Sequence, residues 1–186
     1  MLLHNELIDK LEFTGGTKMQ INQICDLLKK ELLNNDYEYG FCLNGIKYKP
    51  NASNSFDPDF FHLLSTIYHI QSPDDTERGK IGTCNDVVVL MKSILDKHNV
   101  PSKIWILHNL QNDKYHTVLT FSAEDKIVYL ELTPHSRKPW YGKEIIYDNE
   151  QSFLSEYKDN ECEVYNATNL ILIGKTLDEL LSELAR

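Results

Sequence analysis

The sequence predicts an α+β fold: helices first, then an antiparallel sheet packed on one buried helix. Three observations carry this. Apolar residues recur at helical spacing over 18–34 and again over 84–98. Segments 103–110, 115–122 and 126–132 then read as successive strands with only short polar turns between them. No repeat, low-complexity tract or domain-sized linker interrupts the 186 residues, a length that suits one domain with a substantial core.

The elements follow in order. Met19, Ile21, Ile24, Leu27, Leu28, Leu32 and Leu33 line one face of the first helix. Gly15-Gly16 marks a loop before it, and Asn34-Asn35-Asp36 ends it. A hairpin is expected next: Tyr37 to Leu43, a turn at Asn44-Gly45, then Ile46 to Tyr48. Asn-Gly suits a two-residue turn because both residues accept positive φ. Asp57-Pro58 reads as the N-cap and first residue of an aromatic-rich helix running from Asp59 to Ile70. A polar loop from Gln71 to Gly79, with room for a short helical turn, leads to Gly82 and Cys84.

The helix from Cys84 to about His98 carries Val87, Val88, Leu90, Met91, Ile94 and Leu95, which bury most of its circumference. Asn99 and Pro101 stop it. Turns at Asn112-Asp113 and Glu124-Asp125 separate the three strands that follow. A strand over 143–147 leads to a helix beginning at Asp148, where Asp148 and Gln151 form a capping-box pattern. A strand near 169–173 and a helix opened by Thr176 and Glu179 close the chain. The expected division is one domain over 1–186, with a core at about 57–147 and a helical and hairpin extension over 1–56.

Hydrophobic residues make up 41% and charged residues 25%, the balance of a globular chain. A net charge of −9 argues against nonspecific binding to nucleic acid or anionic membrane, and a protein substrate would more naturally be basic. Polar residues interrupt the N-terminus where a secretory h-region would lie, and no apolar run approaches a membrane span. A cytoplasmic location with reduced thiols is therefore expected; Cys25, Cys42, Cys84 and Cys162 form no CxxC pair. No metal and no cofactor are expected. There is no His-Glu-x-x-His, and Ile173-Gly174-Lys175-Thr176 has the tail of a Walker motif without its upstream glycine. The expected partner is a protein or peptide substrate, with no nucleic acid and no membrane. The oligomeric state is left open.

Chemistry concentrates around Gly82-Thr83-Cys84-Asn85-Asp86. A thiol is mostly protonated at neutral pH, and only its thiolate is a nucleophile. A helix N-terminus offers unpaired N–H groups and the positive end of the dipole, which favour the thiolate and also an oxyanion. Thr83 can cap the helix with Asp86 as its capping-box partner. A lone cysteine is commonly just a small core residue, as Cys25 and Cys42 are expected to be. His116 changes the balance. It shares a strand face with Val118 and Thr120, while Glu131 on the next strand faces with Ile127 and Tyr129. If the loop is Ala123-Glu124, the two stand directly opposite. If it has four residues, they are diagonal neighbours on the same face; only an odd-length loop separates them. A carboxylate beside a histidine fixes its tautomer and stabilises the imidazolium, which in turn stabilises a thiolate.

These residues resemble the transglutaminase-like superfamily. Gly82-Thr83-Cys84-Asn85-Asp86 resembles the start of its nucleophile helix. Asn99-Val100-Pro101-Ser102-Lys103-Ile104 resembles its link from that helix to the first sheet strand. His116, and then Tyr129-Leu130-Glu131-Leu132-Thr133-Pro134, resemble its histidine and acid strands. The resemblance covers roughly 60–135 and keeps the order Cys, His, acid. It departs twice: Glu131 stands where aspartate is usual, and Thr117 stands where a small residue followed by tryptophan is commoner.

The resemblance implies a papain-like core with Cys84, His116 and Glu131 as catalytic triad. It implies a cysteine-dependent amide acyl-transfer enzyme working through a thioester, hydrolytic by first choice as a peptidase or protein-glutamine deamidase. Two alternatives stand: transfer of the acyl group to an amine, or an inactive module that binds a protein or peptide through Trp105 or Trp140. Gln71 is a candidate side-chain donor to the oxyanion, against a plain role in finishing a turn. Asn85 at the helix start, and Trp140 beside Tyr141 and His135, are candidates for oxyanion or substrate contact. His108 is expected only to pack.

Overall fold

The computed structural model describes residues 19–51, 57–134 and 139–184. The expected Gly15-Gly16 loop and His135 lie outside the described residues. The α+β papain-like arrangement is the one the chain adopts. The helices are α1 (Ile21–Leu32), α2 (Pro58–Thr66), α3 (Pro73–Gly79), α4 (Cys84–Lys97), α5 (Glu150–Asp159) and α6 (Leu177–Leu184). The strands are β1 (Glu38–Tyr39), β2 (Phe41–Leu43), β3 (Ile46–Tyr48), β4 (Ile81–Gly82), β5 (Ser102–Asn109), β6 (Lys114–Ala123), β7 (Lys126–Leu130), β8 (Glu144–Tyr147) and β9 (Cys162–Asn166). The main sheet is antiparallel, in the order β8-β7-β6-β5-β9.

Alternation along the strands buries both faces of this sheet. One face packs on α4 and α1 through Ile104, Ile106, Leu119, Phe121 and Val128. The other packs on α5 through Trp105, Val118, Tyr129 and Phe153. The apolar face of α1 (Ile24, Cys25, Leu28, Leu32) lies in the same core as Val87, Met91 and Leu95 of α4. Asn99 at φ 54 ends α4 in the left-handed conformation, as its place before Pro101 suggests.

Four expectations are corrected. The first hairpin strand splits at Gly40, whose φ of 148 and place 2.2 Å from Tyr48 O (measured from a Cβ built there) exclude a side chain. Only β2 pairs with β3, while β1 runs parallel to β4. The α2 helix stops at Thr66 because Tyr68 and Ile70 are drawn into the core and the Ile70 backbone bonds Lys175 O and Gly174 N. Asn149, not Asp148, caps α5, accepting from Ser152 N at 2.9 Å; Asp148 pairs with Lys126 instead. Segment 169–173 makes turns that leave Leu172 and Ile173 exposed, and the unforeseen β9 takes the sheet edge beside β5. Thr176 and Glu179 do form the capping box of the last helix.

Candidate active site

Cys84 is the first residue of α4 and is half-buried. What places it there is Asp86, fully buried one turn in. Its Oδ2 accepts from Thr83 N at 2.8 Å and Thr83 Oγ1 at 2.9 Å, and its Oδ1 accepts from Tyr68 Oη and Gln71 N, each at 2.8 Å. Burial pushes the Asp86 carboxyl up to about 6, against the pull of these hydrogen bonds. One side chain therefore ties the helix start to α2's exit and to the approach to α3. Gly82 leaves room for this: a Cβ there would stand a tight 3.1 Å from the Asp86 side chain.

The turn between β6 and β7 is Glu124-Asp125, both residues at positive φ, and Ala123 pairs with Lys126. Continued beyond Leu130, this register sets Glu131 opposite Val118, two positions from His116. The diagonal arrangement is thus the one realised, and the longer glutamate arm spans it. His116 Nε2 and Glu131 Oε2 stand 2.6 Å apart. Glu131, only 3% exposed, also accepts from Tyr129 Oη at 2.8 Å on the same oxygen and from Thr133 N at 3.0 Å on the other. Trp140 and Tyr157 bring further hydrogen-bonding groups to the Tyr129 hydroxyl.

Glu131 engages Nε2, and the same His116 side chain also interacts with the Cys84 thiol. Because β7 leaves the sheet at Leu130, the Thr117 backbone N–H is left for the thiol as well. Burial alone would raise the thiol's pKa. The His116 hydrogen bond and charge, with the Thr117 N–H, outweigh it and bring Cys84 below its ordinary value. Burial would likewise lower His116, but its bonds to Cys84 and Glu131 raise it to about 9. The arrangement favours a thiolate beside an imidazolium. Cys25 is the contrast: burial without such a partner pushes its thiol up to about 11.

The remaining candidates fall in different places. Asn85 is buried, and its Oδ1 accepts from Thr117 Oγ1 at 2.6 Å, so it straps α4 to the strand beside His116. The unusual Thr117 thus supplies the hydroxyl for that strap. Gln71 Oε1 accepts from Cys42 N at 2.8 Å, and its Nε2 donates to Ile81 O at 3.1 Å, joining β2 to β4. Trp140 packs against the cluster that holds Tyr129 and Phe153. Trp105 is a core residue, against Phe153 and donating to Thr120 Oγ1 at 2.8 Å, and offers no face to a partner. His108 stacks on Tyr115, as expected of a packing residue.

Sequence reasoning missed Tyr129, although it lies two residues before Glu131 on the same strand face. It also gave Asp86 no more than a cap. Among the described residues no group of three or more His, Cys, Asp and Glu side chains is placed to hold a metal ion. A surface cavity of about 760 Å³ lies at Pro101, Ser122 and Asp148, at the opposite end of β6 from His116.

The sequence pattern of the transglutaminase-like domain matches residues 39–145, a span that contains Cys84, His116 and Glu131. The chain belongs to the transglutaminase-like family. That family is one of cysteine-dependent enzymes. No curated protein matches the chain in sequence. Among solved structures, Legionella pneumophila LapG is similar at 17% identity over 87% of this chain and 71% of that one, with a TM-score of 0.44. Its calcium-bound form gives 16%, 96%, 85% and 0.44, and its EGTA-treated form 17%, 95%, 81% and 0.45.

Proposed function

We propose that this transglutaminase-like chain is a cysteine-dependent amide acyl-transfer enzyme with Cys84, His116 and Glu131 as its triad, hydrolytic in its main reaction. The observation that carries the reading is the shared imidazole: Glu131 holds Nε2 at 2.6 Å while the same side chain interacts with a thiol at a helix N-terminus. The Cys84 thiolate attacks an amide carbonyl. The His116 imidazolium gives its proton to the leaving nitrogen, and the C–N bond breaks to leave a thioester. His116 then takes a proton from water, whose oxygen attacks the thioester and releases the acid. Glu131 keeps the imidazole oriented and stabilises its charge. The net charge of −9 supports a basic protein or peptide as substrate.

The test is incubation of wild type and Cys84→Ala with a tryptic peptide library, with and without an added primary amine. New peptide termini that require Cys84 identify a peptidase. Glutamine converted to glutamate with ammonia release identifies a deamidase. Amine-bearing glutamines identify a transferase and displace hydrolysis as the main reaction. Peptides unchanged by wild type would overturn the reading in favour of a non-catalytic module.

A further inference from the structure

Tyr39 lies on β1, and the parallel register with β4 sets it opposite Gly82, two residues before Cys84. Main-chain bonds fix that register: Glu38 N donates to Lys80 O at 2.9 Å, and Gly40 N to Gly82 O at 3.3 Å. Paired residues on neighbouring strands point to the same face. A Cβ on Gly82 would meet the Asp86 side chain at 3.1 Å, so that face is the one covered by the first turn of α4. Tyr39 therefore projects toward the turn that carries Cys84, across space left open by the missing side chain at 82. Phe60 backs its ring, with 5.9 Å between centroids.

The hydroxyl is in a donor's environment. Burial, and after it the charges of Cys84 and Asp86, push the phenol far above its ordinary range, so it stays protonated. Tyr68, Thr83 and Asp86 bond one another in a closed network in which the Tyr39 hydroxyl takes no part. Other groups near the thiol are committed elsewhere. The Thr83 N–H is held by Asp86, and Gln71 bridges Cys42 and Ile81.

Resting on the reading of Cys84 as nucleophile, we infer that Tyr39 is a catalytic residue whose phenol donates a hydrogen bond to the substrate carbonyl oxygen as it becomes an oxyanion. When the Cys84 sulfur bonds the carbonyl carbon, the C=O π pair moves onto oxygen. Tyr39 O–H and the Cys84 N–H, which has no intrahelical partner at the first helical position, stabilise that charge without giving up a proton. Collapse re-forms C=O as the C–N bond breaks.

Tyr39→Phe removes only the O–H and keeps the ring on Phe60. The experiment measures alkylation of Cys84 by iodoacetamide, which needs the thiolate but forms no oxyanion, and protection from it by N-acetylglycinal, which forms a tetrahedral hemithioacetal. The expected result is the same alkylation rate and pH profile in both proteins, with about 100- to 1000-fold more aldehyde needed to protect Tyr39→Phe, the range for losing one oxyanion donor. Equal protection of both proteins would overturn the role of Tyr39 while leaving Cys84 as nucleophile. Alkylation without aldehyde protection of either would do the same. Wild-type Cys84 that alkylates only as an ordinary thiol would overturn the nucleophile reading itself, and the Tyr39 inference with it.

Discussion

His116 Nε2 and Glu131 Oε2 are 2.6 Å apart although the β6–β7 register, continued past the end of β7, sets Glu131 opposite Val118 rather than His116. An aspartate at 131 would have to cross the same diagonal with one methylene fewer. The glutamate crosses it, and its carboxylate is pinned at both oxygens by Tyr129 and Thr133. The departure from the usual acid is matched by the geometry around it.

In the proposed mechanism, Glu131 sets the alkaline limit of the active form. The ion pair exists between the lowered pKa of Cys84 and the raised pKa of His116, about 9. Turnover against pH is therefore bell-shaped: it rises as Cys84 loses its proton and falls as His116 loses its own near 9. Glu131→Gln removes a charge that raises His116, so the alkaline limb moves to lower pH and the maximum rate falls. Steady-state rates from pH 5 to 10 check this; an unmoved alkaline limb contradicts it. Above the lowered pKa of Cys84 and the ordinary 6.5 of a histidine, and below about 9, the folded pair holds one proton on His116 and the unfolded chain holds one on the thiol, so the pair adds little pH dependence to stability there.

In the proposed mechanism, Tyr129 is a positioning residue acting through Glu131. Tyr129→Phe deletes one donor to a buried carboxylate and costs about 1.5–3 kcal/mol of stability, the range for hydrogen bonds to charged groups. The rate constant kcat falls while KM stays near the wild-type value, because no substrate contact is lost. Urea denaturation and steady-state kinetics measure the two effects; an unchanged kcat counts against a positioning role.

The strap between α4 and β6 predicts a third outcome. Thr117→Val keeps the shape but leaves the buried Asn85 Oδ1 without its 2.6 Å donor, at a cost of about 1–3 kcal/mol. Double substitution with Asn85→Ala should cost less than the sum of the single changes, which a double-mutant cycle by urea denaturation reads directly. Strict additivity would show that the two residues do not support each other.

Asp86→Ala should be far more damaging than Cys84→Ala. It strands the Thr83 and Gln71 N–H groups in the interior and leaves the Tyr68 hydroxyl only Thr83 Oγ1, a loss of about 3–5 kcal/mol by comparison with broken buried charge networks. Cys84→Ala removes one half-buried sulfur and should fold. Thermal melts of the two variants make the comparison; equal stability would mean that the helix start is held by something other than Asp86.

Local signals made much of this legible. The helical spacing of α1 and α4, the Asn44-Gly45 turn and the Thr176–Glu179 box are written in neighbouring residues, and each formed as expected. The Cys, His and acid order, with even spacing along two adjacent strands, brought His116 and Glu131 to one face. What stayed hidden depended on distant partners. Tyr68 leaves a helix-compatible run because Asp86, 18 residues on, takes its hydroxyl. Cys162–Asn166 is polar on one side and reads as loop until β5 offers it an edge. Thr117 looked like a departure and became a strap only once Asn85 stood against it.

The central claim is that Cys84 and His116 form a thiolate–imidazolium pair, and alkylation of each cysteine against pH, read by mass spectrometry in wild type and His116→Ala, tests it most directly. The account predicts rapid labelling of Cys84 well below the ordinary thiol pKa, with Cys25 unlabelled, and loss of that rapid labelling in His116→Ala. Slow labelling of Cys84 that is the same in both proteins would contradict it.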